Sequence, residues 1–222
     1  MVRARRQAVD AELAVLLDDV DVRRGVEAGA LGALAEAGED VLTDTLVALL
    51  TVGAGSLAAA LTTAVAHTAA RHDHWLRLAQ GPDADAWAGA VVAEALRIHP
   101  PTAALSRVAV RLIDGGPGVA IADGTTLVLC PAIAQRGASW PDPGVFRPER
   151  WMDGSPVGDH LPFGVGPRRC PAAAMSDAVL VAVLRSLASR IDLAVSRPPW
   201  PSSGIVSSAP RVRAQVTWSS SA

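Results

Sequence analysis

The chain has 222 residues, half of them hydrophobic and 19% charged, with a formal net charge of -2. A chain of that size buries a substantial core, and the composition excludes wholesale disorder. The near-neutral balance gives no general reason to expect nucleic acid or an anionic membrane as partner. The two cysteines, Cys130 and Cys170, form no C-x-x-C pair and point to a reducing cytoplasm rather than a disulfide framework.

In chain order, Met1 to Gln7 carries Arg3, Arg5 and Arg6, but no apolar run follows, so the start does not read as a signal peptide. Ala8 to Ala37 is rich in Ala, Leu, Asp, Glu and Arg and suits one or two amphipathic helices, weakened by Gly25, Gly29 and Gly32. Glu39 to Arg71 reads as one long helix. Its stretch from Leu46 to Ala66 carries no charge, and a bilayer-spanning helix needs about 20 such residues. Thr51, Gly53, Gly55, Ser56, Thr62 and Thr63 dilute its hydrophobicity, and no aromatic belt flanks it. The expectation is therefore a helix buried in a globular protein, with no membrane.

His72 and His74 form an H-x-H pair, expected on a surface turn that ends the long helix rather than as a metal site. A second helix runs from Trp87 to His99 and is stopped by Pro100 and Pro101. Arg107 to Leu112 and Thr125 to Cys130 are short β-like runs separated by glycines and Pro117, which predicts a small sheet with Cys130 packed in the core. Trp140 to Gly158 is dense in Pro, Gly and Asp and predicts an irregular, ordered loop. A helix follows from about Pro171 to Arg190, and the tail predicts a few strands joined by turns. The fold class is mainly α with a small β portion, organised as a helical segment 1–38 and a main region 39–222.

The sharpest local signal is Phe163-Gly164-Val165-Gly166-Pro167-Arg168-Arg169-Cys170. Its glycines let backbone approach a flat group closely. A helix starting just after the cysteine offers free N–H groups and a positive dipole end to a thiolate. Pro171 suits the first helical position, and Phe163 screens the sulfur from water. A buried free cysteine in a turn is the plain alternative for such a residue. Upstream, Glu94 and Arg97 share one face of an otherwise apolar helix, so the pair is expected to be buried and to need further partners. Arg150, in Pro148-Glu149-Arg150-Trp151, is a candidate third member.

These residues carry a resemblance to the cytochrome P-450 family. Glu94 to Arg97 resembles its ExxR motif, Phe146 to Trp151 its PERW segment, and Phe163 to Cys170 its FxxGxRxC loop, in the family's order and spacing. The resemblance covers the C-terminal half of the family's fold, from about Thr43 onward: long central helix, ExxR helix, meander, cysteine loop and following helix. It implies that heme b (iron protoporphyrin IX) is the cofactor, with Cys170 as axial ligand. It further implies that Glu94, Arg97 and Arg150 form a structural triad, while Arg107 and Arg168 pair with heme propionates. Phe163, Gly164, Gly166 and Ala172 then line the cofactor, and His160 lies within reach of a propionate or serves as a hydrogen-bonded loop histidine.

Several positions depart from the family pattern. In the central helix, Val52-Gly53-Ala54-Gly55-Ser56-Leu57 aligns with a motif whose acid and alcohol steer protons to the reacting oxygen. Gly55 stands where the acid belongs, and Ser56 keeps a hydroxyl as the remaining candidate for the relay. Ala172 replaces the usual glycine after the cysteine. The segments that roof the substrate pocket have no counterpart, leaving Ala54 to Ala58, Thr102 to Ser106 and Ser203 to Ser207 as pocket edges. An apolar face left open by that shortfall implies an oligomer or a full-length enzyme as partner.

The resemblance implies a heme-thiolate monooxygenase, an oxidoreductase of secondary metabolism that acts on a small lipophilic molecule and takes electrons from a ferredoxin-type donor. Arg168 and Arg169 are candidates to face that donor. The competing expectation is a shortened, non-catalytic helper of a full-length enzyme, or one half of a split or decayed one.

Overall fold

The computed structural model describes residues 38–154, 158–195 and 214–218. The chain divides into two compact units, residues 1–54 and 55–222. The helices expected within 1–37, the prolines of the tail and the pocket edge at 203–207 lie outside the described residues.

In the first unit, α1 (Glu39–Ala48) is followed by a π-helical segment, Leu49–Gly53. Hydroxyls there bond backward to carbonyls one turn earlier: Thr45 Oγ1 to Val41 O at 2.7 Å and Thr51 Oγ1 to Val47 O at 2.6 Å. The single helix expected from Glu39 to Arg71 is thus broken by a π segment and ends at Ala69.

Among the described residues, the second unit is built on four main helices. α2 (Ala54–Ala69) buries Ala59, Ala60, Thr63, Ala64, Ala66, Thr68 and Ala69. Small side chains at this spacing make a flat apolar face. The two buried threonines satisfy their hydroxyls on Ala59 O and Ala64 O, at 3.0 and 2.7 Å. Thr51–Ala69 is the one stretch, among the described residues, long and apolar enough to cross a membrane.

α3 (His72–Gln80) corrects the expected surface turn. His72 and His74 open a helix, and they diverge. His72 is exposed, with its Nδ1 3.8 Å from Asp192 Oδ1, whereas the buried His74 places Nε2 3.3 Å from Glu149 Oε1. Among the described residues no group of three or more His, Cys, Asp or Glu side chains is placed to hold a metal ion.

α4 (Ala84–Ile98) starts three residues earlier than its apolar run suggested, directly after Asp83. It crosses α3, α6 (Ala173–Ala188) and the PERW turn, a 3-10 helix at Pro148–Trp151. The core is Trp75, Leu78, Trp87, Val91, Leu96, Leu180, Leu184, Leu193 and Val195 with intervening alanines. Both indoles keep their N–H satisfied, Trp75 on Ile191 O at 3.0 Å and Trp87 on His74 O at 3.2 Å.

Among the described residues, the β portion is three two-stranded antiparallel pieces. β1 (Leu105–Val108) pairs with β4 (Thr126–Leu129), and β2 (Ile113–Asp114) with β3 (Ala120–Ile121). The first strand begins and ends earlier than the run Arg107 to Leu112. β5 (Ile191–Val195) pairs with β6 (Ala214–Trp218). Cys130 is half-buried and leads into α5 (Pro131–Ala134).

Candidate functional site

Glu94 and Arg97 sit one turn apart on α4, both fully buried. The Glu94 carboxylate accepts from Arg97 Nε and Nη2 at 2.9 and 2.8 Å and from the Arg147 backbone N–H at 2.8 Å. Arg150 Nε at 3.2 Å and Trp151 Nε1 at 3.0 Å complete its set. Burial works against this charge. The hydrogen bonds of Arg97, Arg147 and Trp151 nonetheless hold the carboxyl below the ordinary range.

Arg97 is equally saturated. Besides Glu94, its guanidinium donates to Gln135 O and Pro143 O at 2.9 Å each and to Val145 O at 3.1 Å. All five N–H groups are therefore used. Arg150 adds a bond to Pro141 O at 2.8 Å. A loop of Pro, Gly and Asp lacks its own ladder, so its carbonyls are collected by two buried guanidinium groups, and this orders the irregular segment. Trp140 closes the cluster, its ring 5.1 Å from the Arg97 Cζ.

The cysteine loop attaches to this scaffold. His160 packs on Trp151 with centroids 4.6 Å apart, and burial lowers its pKa to about 4 against a hydrogen bond with the Ala93 backbone. Just before His160, Gly158 lies close against Trp140: a Cβ there would meet Ser139 Oγ and Trp140 Nε1 at 2.7 Å. The Leu161 N–H donates to Gln135 Oε1 at 2.6 Å. Gly164 N then bonds Leu161 O at 3.1 Å, and Cys170 N bonds Phe163 O at 2.9 Å, closing the loop. Gly164 and Gly166 adopt φ of 68° and 74°, where a side chain is strained. A Cβ at either would meet nothing within 4 Å, so the space above the loop is open.

α6 begins at Ala173, two residues later than expected. Cys170 therefore lies before its first turn, with the Cys170 carbonyl 3.4 Å from Ala173 N. Phe163 is half-buried against the main core. Ala172 is half-buried, while Arg168, in the 3-10 turn Gly166–Arg168, is exposed. Arg107 is exposed on β1, its Nη1 2.7 Å from Ser106 O. Ser56 is half-buried in the first turn of α2, next to the exposed Gly55. The expected triad is thus assembled, and the loop of Cys170 is tied to it. Ser56, Arg107 and Arg168 lie outside its hydrogen-bond network.

Sequence reasoning passed over Gln135, the indole donor of Trp151 and a stack of His67 on His99 and Phe146, with ring centroids 5.3 and 4.6 Å apart. A lone Gln after the apolar Cys130 to Ala134 was the only signal for the first.

This site holds one half-buried thiol, an open space over two left-handed glycines and, among the described residues, no cluster of further metal-ligating side chains. Such a donor set does not complete the coordination of a bare ion, which needs several protein ligands. A group that brings its own donors and takes a single sulfur from the protein fits these residues, as in the heme-thiolate proteins.

The Cytochrome P450 family profile matches residues 88–213, more than half of the chain, and the chain belongs to that family. The family binds heme b through a cysteine thiolate. A cytochrome P450 monooxygenase of Cordyceps militaris, milC, is 28% identical over 187 residues, 72% of this chain and 36% of that protein. Among solved structures, CYP175A1 from Thermus thermophilus is 31% identical with a TM-score of 0.69, covering 92% of this chain and 54% of that one. P450 RauA, complexed with a biosynthetic intermediate of aurachin RE, shares the fold at 20% identity and TM-score 0.73, over 98% of this chain and 52% of its own. The chain spans about a third of that curated relative and about half of the solved ones.

Proposed function

We propose that this chain binds heme b through the Cys170 sulfur and serves as the heme-ligating part of a monooxygenase. The single observation that carries the reading is the loop Phe163–Cys170, closed on itself by the Cys170 N to Phe163 O bond and joined through Leu161 to the scaffold around Glu94. When bound, heme supplies the reductive activation of dioxygen. The chain's own residues present the sulfur, exclude water from it and fix its distance from the ExxR helix.

Phe163, at the start of the loop, would screen the sulfur, and Gly164 and Gly166, which carry no side chain, would leave room for the heme. Arg107 and Arg168 can turn to the propionates because both are exposed. The Ser56 hydroxyl is the proton-relay group, in the first turn of α2. The substrate is a small lipophilic molecule, the electron donor a ferredoxin-type protein, and the location the cytoplasm. The P450-like region runs from Glu39 onward.

The test is an optical one. Protein expressed with heme supply, reduced and exposed to carbon monoxide, shows the red-shifted Soret band of a thiolate ligand. Cys170→Ser loses that band. A wild-type preparation that takes up no hemin overturns the proposal.

A further inference from the structure

We infer that Gln135 is a positioning residue that sets the cysteine loop against the end of the ExxR helix. A helix leaves its last four carbonyls without intrahelical partners. After α4 the chain runs into Pro100 and Pro101, which have no N–H to offer, so the usual backbone closure is not open to it.

The structure accounts for all four carbonyls. Ala95 O takes the His99 N–H at 2.9 Å. Leu96 O and Arg97 O take the two N–H groups of the Gln135 amide, at 3.3 and 3.2 Å. Ile98 O takes Arg136 Nη2.

Gln135 is fully buried, and its other end faces the site. Its Oε1 accepts the Leu161 N–H at 2.6 Å, and its backbone carbonyl accepts Arg97 Nη1 at 2.9 Å. Partners fix the amide's orientation: two carbonyls surround the nitrogen and an N–H faces the oxygen. From Leu161 the path continues through Gly164 N to Leu161 O and through Cys170 N to Phe163 O. One side chain therefore links the helix that carries Glu94 and Arg97 to the backbone that carries the thiol. A purely structural glutamine would cap α4 without touching the loop.

The positioning role toward the ligand rests on Cys170 holding heme, but the contact itself does not, so two readouts separate them. In the heme-free protein, amide hydrogen exchange is compared for wild type, Gln135→Met and Gln135→Glu. Gln135→Met keeps the volume and removes every polar contact of the side chain. It is expected to speed exchange at Leu161 and Cys170 about tenfold, the worth of one hydrogen bond, relative to the Arg147 amide held by Glu94. Gln135→Glu keeps the acceptor and is expected to keep Leu161 protected. If Gln135→Met does not fold, this second variant decides alone.

Loss of Leu161 protection in Gln135→Glu overturns the inference. So does equal acceleration of Leu161 and Arg147 in Gln135→Met. In heme-loaded protein, Gln135→Met is expected to convert part of the carbon monoxide complex from the thiolate band to the neutral-thiol band. A wild type that binds no heme removes the proposed function and leaves the exchange comparison standing. Unchanged exchange in Gln135→Met beside an unchanged thiolate band overturns the positioning role alone.

Discussion

Arg150 Nε reaches Glu94 Oε1 at 3.2 Å across 56 positions of sequence, and the same oxygen takes Arg97 Nη2 at 2.8 Å. One buried carboxylate thus joins α4 to the PERW turn. Removing a partner from such a set strands the opposite charges in the interior. Glu94→Ala is expected to cost roughly 3–5 kcal/mol, read from the midpoint of a urea transition. Asp85, 87% exposed and 2.8 Å from Arg185 Nε, is the control. Asp85→Asn is expected to cost about 0–1 kcal/mol, because solvent screens an exposed pair. Equal costs at the two sites would show that Glu94 is not in the interior.

Opposite charges at i and i+3 in an apolar helix marked Glu94 and Arg97 as a buried pair in need of partners. Arg150 was a candidate third member, and the triad as a unit came from the family resemblance. Gln135 was not legible, since its partners are backbone carbonyls and an N–H, which leave no mark on the sequence. The H-x-H pair misled for a related reason: residue spacing does not reveal that α3 turns His74 into the core against Glu149 and leaves His72 outside. The π segment at Leu49–Gly53 has no compositional signature that distinguishes it from a continuous helix.

Buried imidazoles make stability depend on pH. Burial is the main cause lowering His67 to about 4 and His99 to about 3, from 6.5. His99 is also opposed by His67 and Arg136. The unfolded chain takes up protons first as the pH drops through 6.5, so stability is fullest above that value and declines toward about 4. Each such imidazole contributes a slope of up to about 1.4 kcal/mol per pH unit. His160 adds to the same window, whereas Glu94 contributes a loss only at more acid pH. Denaturation midpoints from pH 8 to 4.5 are expected to fall, and His67→Phe, which keeps a ring for Phe146 to stack on, flattens the fall. A flat wild-type profile over that range would contradict the neutral stack.

The two left-handed glycines of the loop separate backbone cost from crowding. In the heme-free protein a Cβ at Gly164 or Gly166 meets nothing within 4 Å, so Ala there is penalised by conformation alone. The expected loss is roughly 1–2 kcal/mol each, and Asn, which tolerates that region, recovers part of it. Differential scanning calorimetry of Gly166→Ala beside Gly166→Asn tests this. A loss equal for both would point to crowding instead of backbone strain.

Gly55 tests the proposed oxygen chemistry from the other direction. By resemblance it stands where the family's central helix carries an acid, it is exposed, and an added Cβ meets nothing within 4 Å. A Cβ there therefore meets no steric bar, next in the chain to Ser56, the proposed relay group. A positioned acid or base contributes typically 10²–10⁴-fold to a step it serves. In heme-loaded protein with a reductase, Gly55→Asp is expected to raise product formed per electron consumed, by up to the lower end of that range, while Gly55→Asn does not. Because the asparagine matches the shape and lacks the titrating group, equal gains from both would assign the effect to packing of α2. No gain from the aspartate would mean that proton delivery by this turn does not limit the reaction.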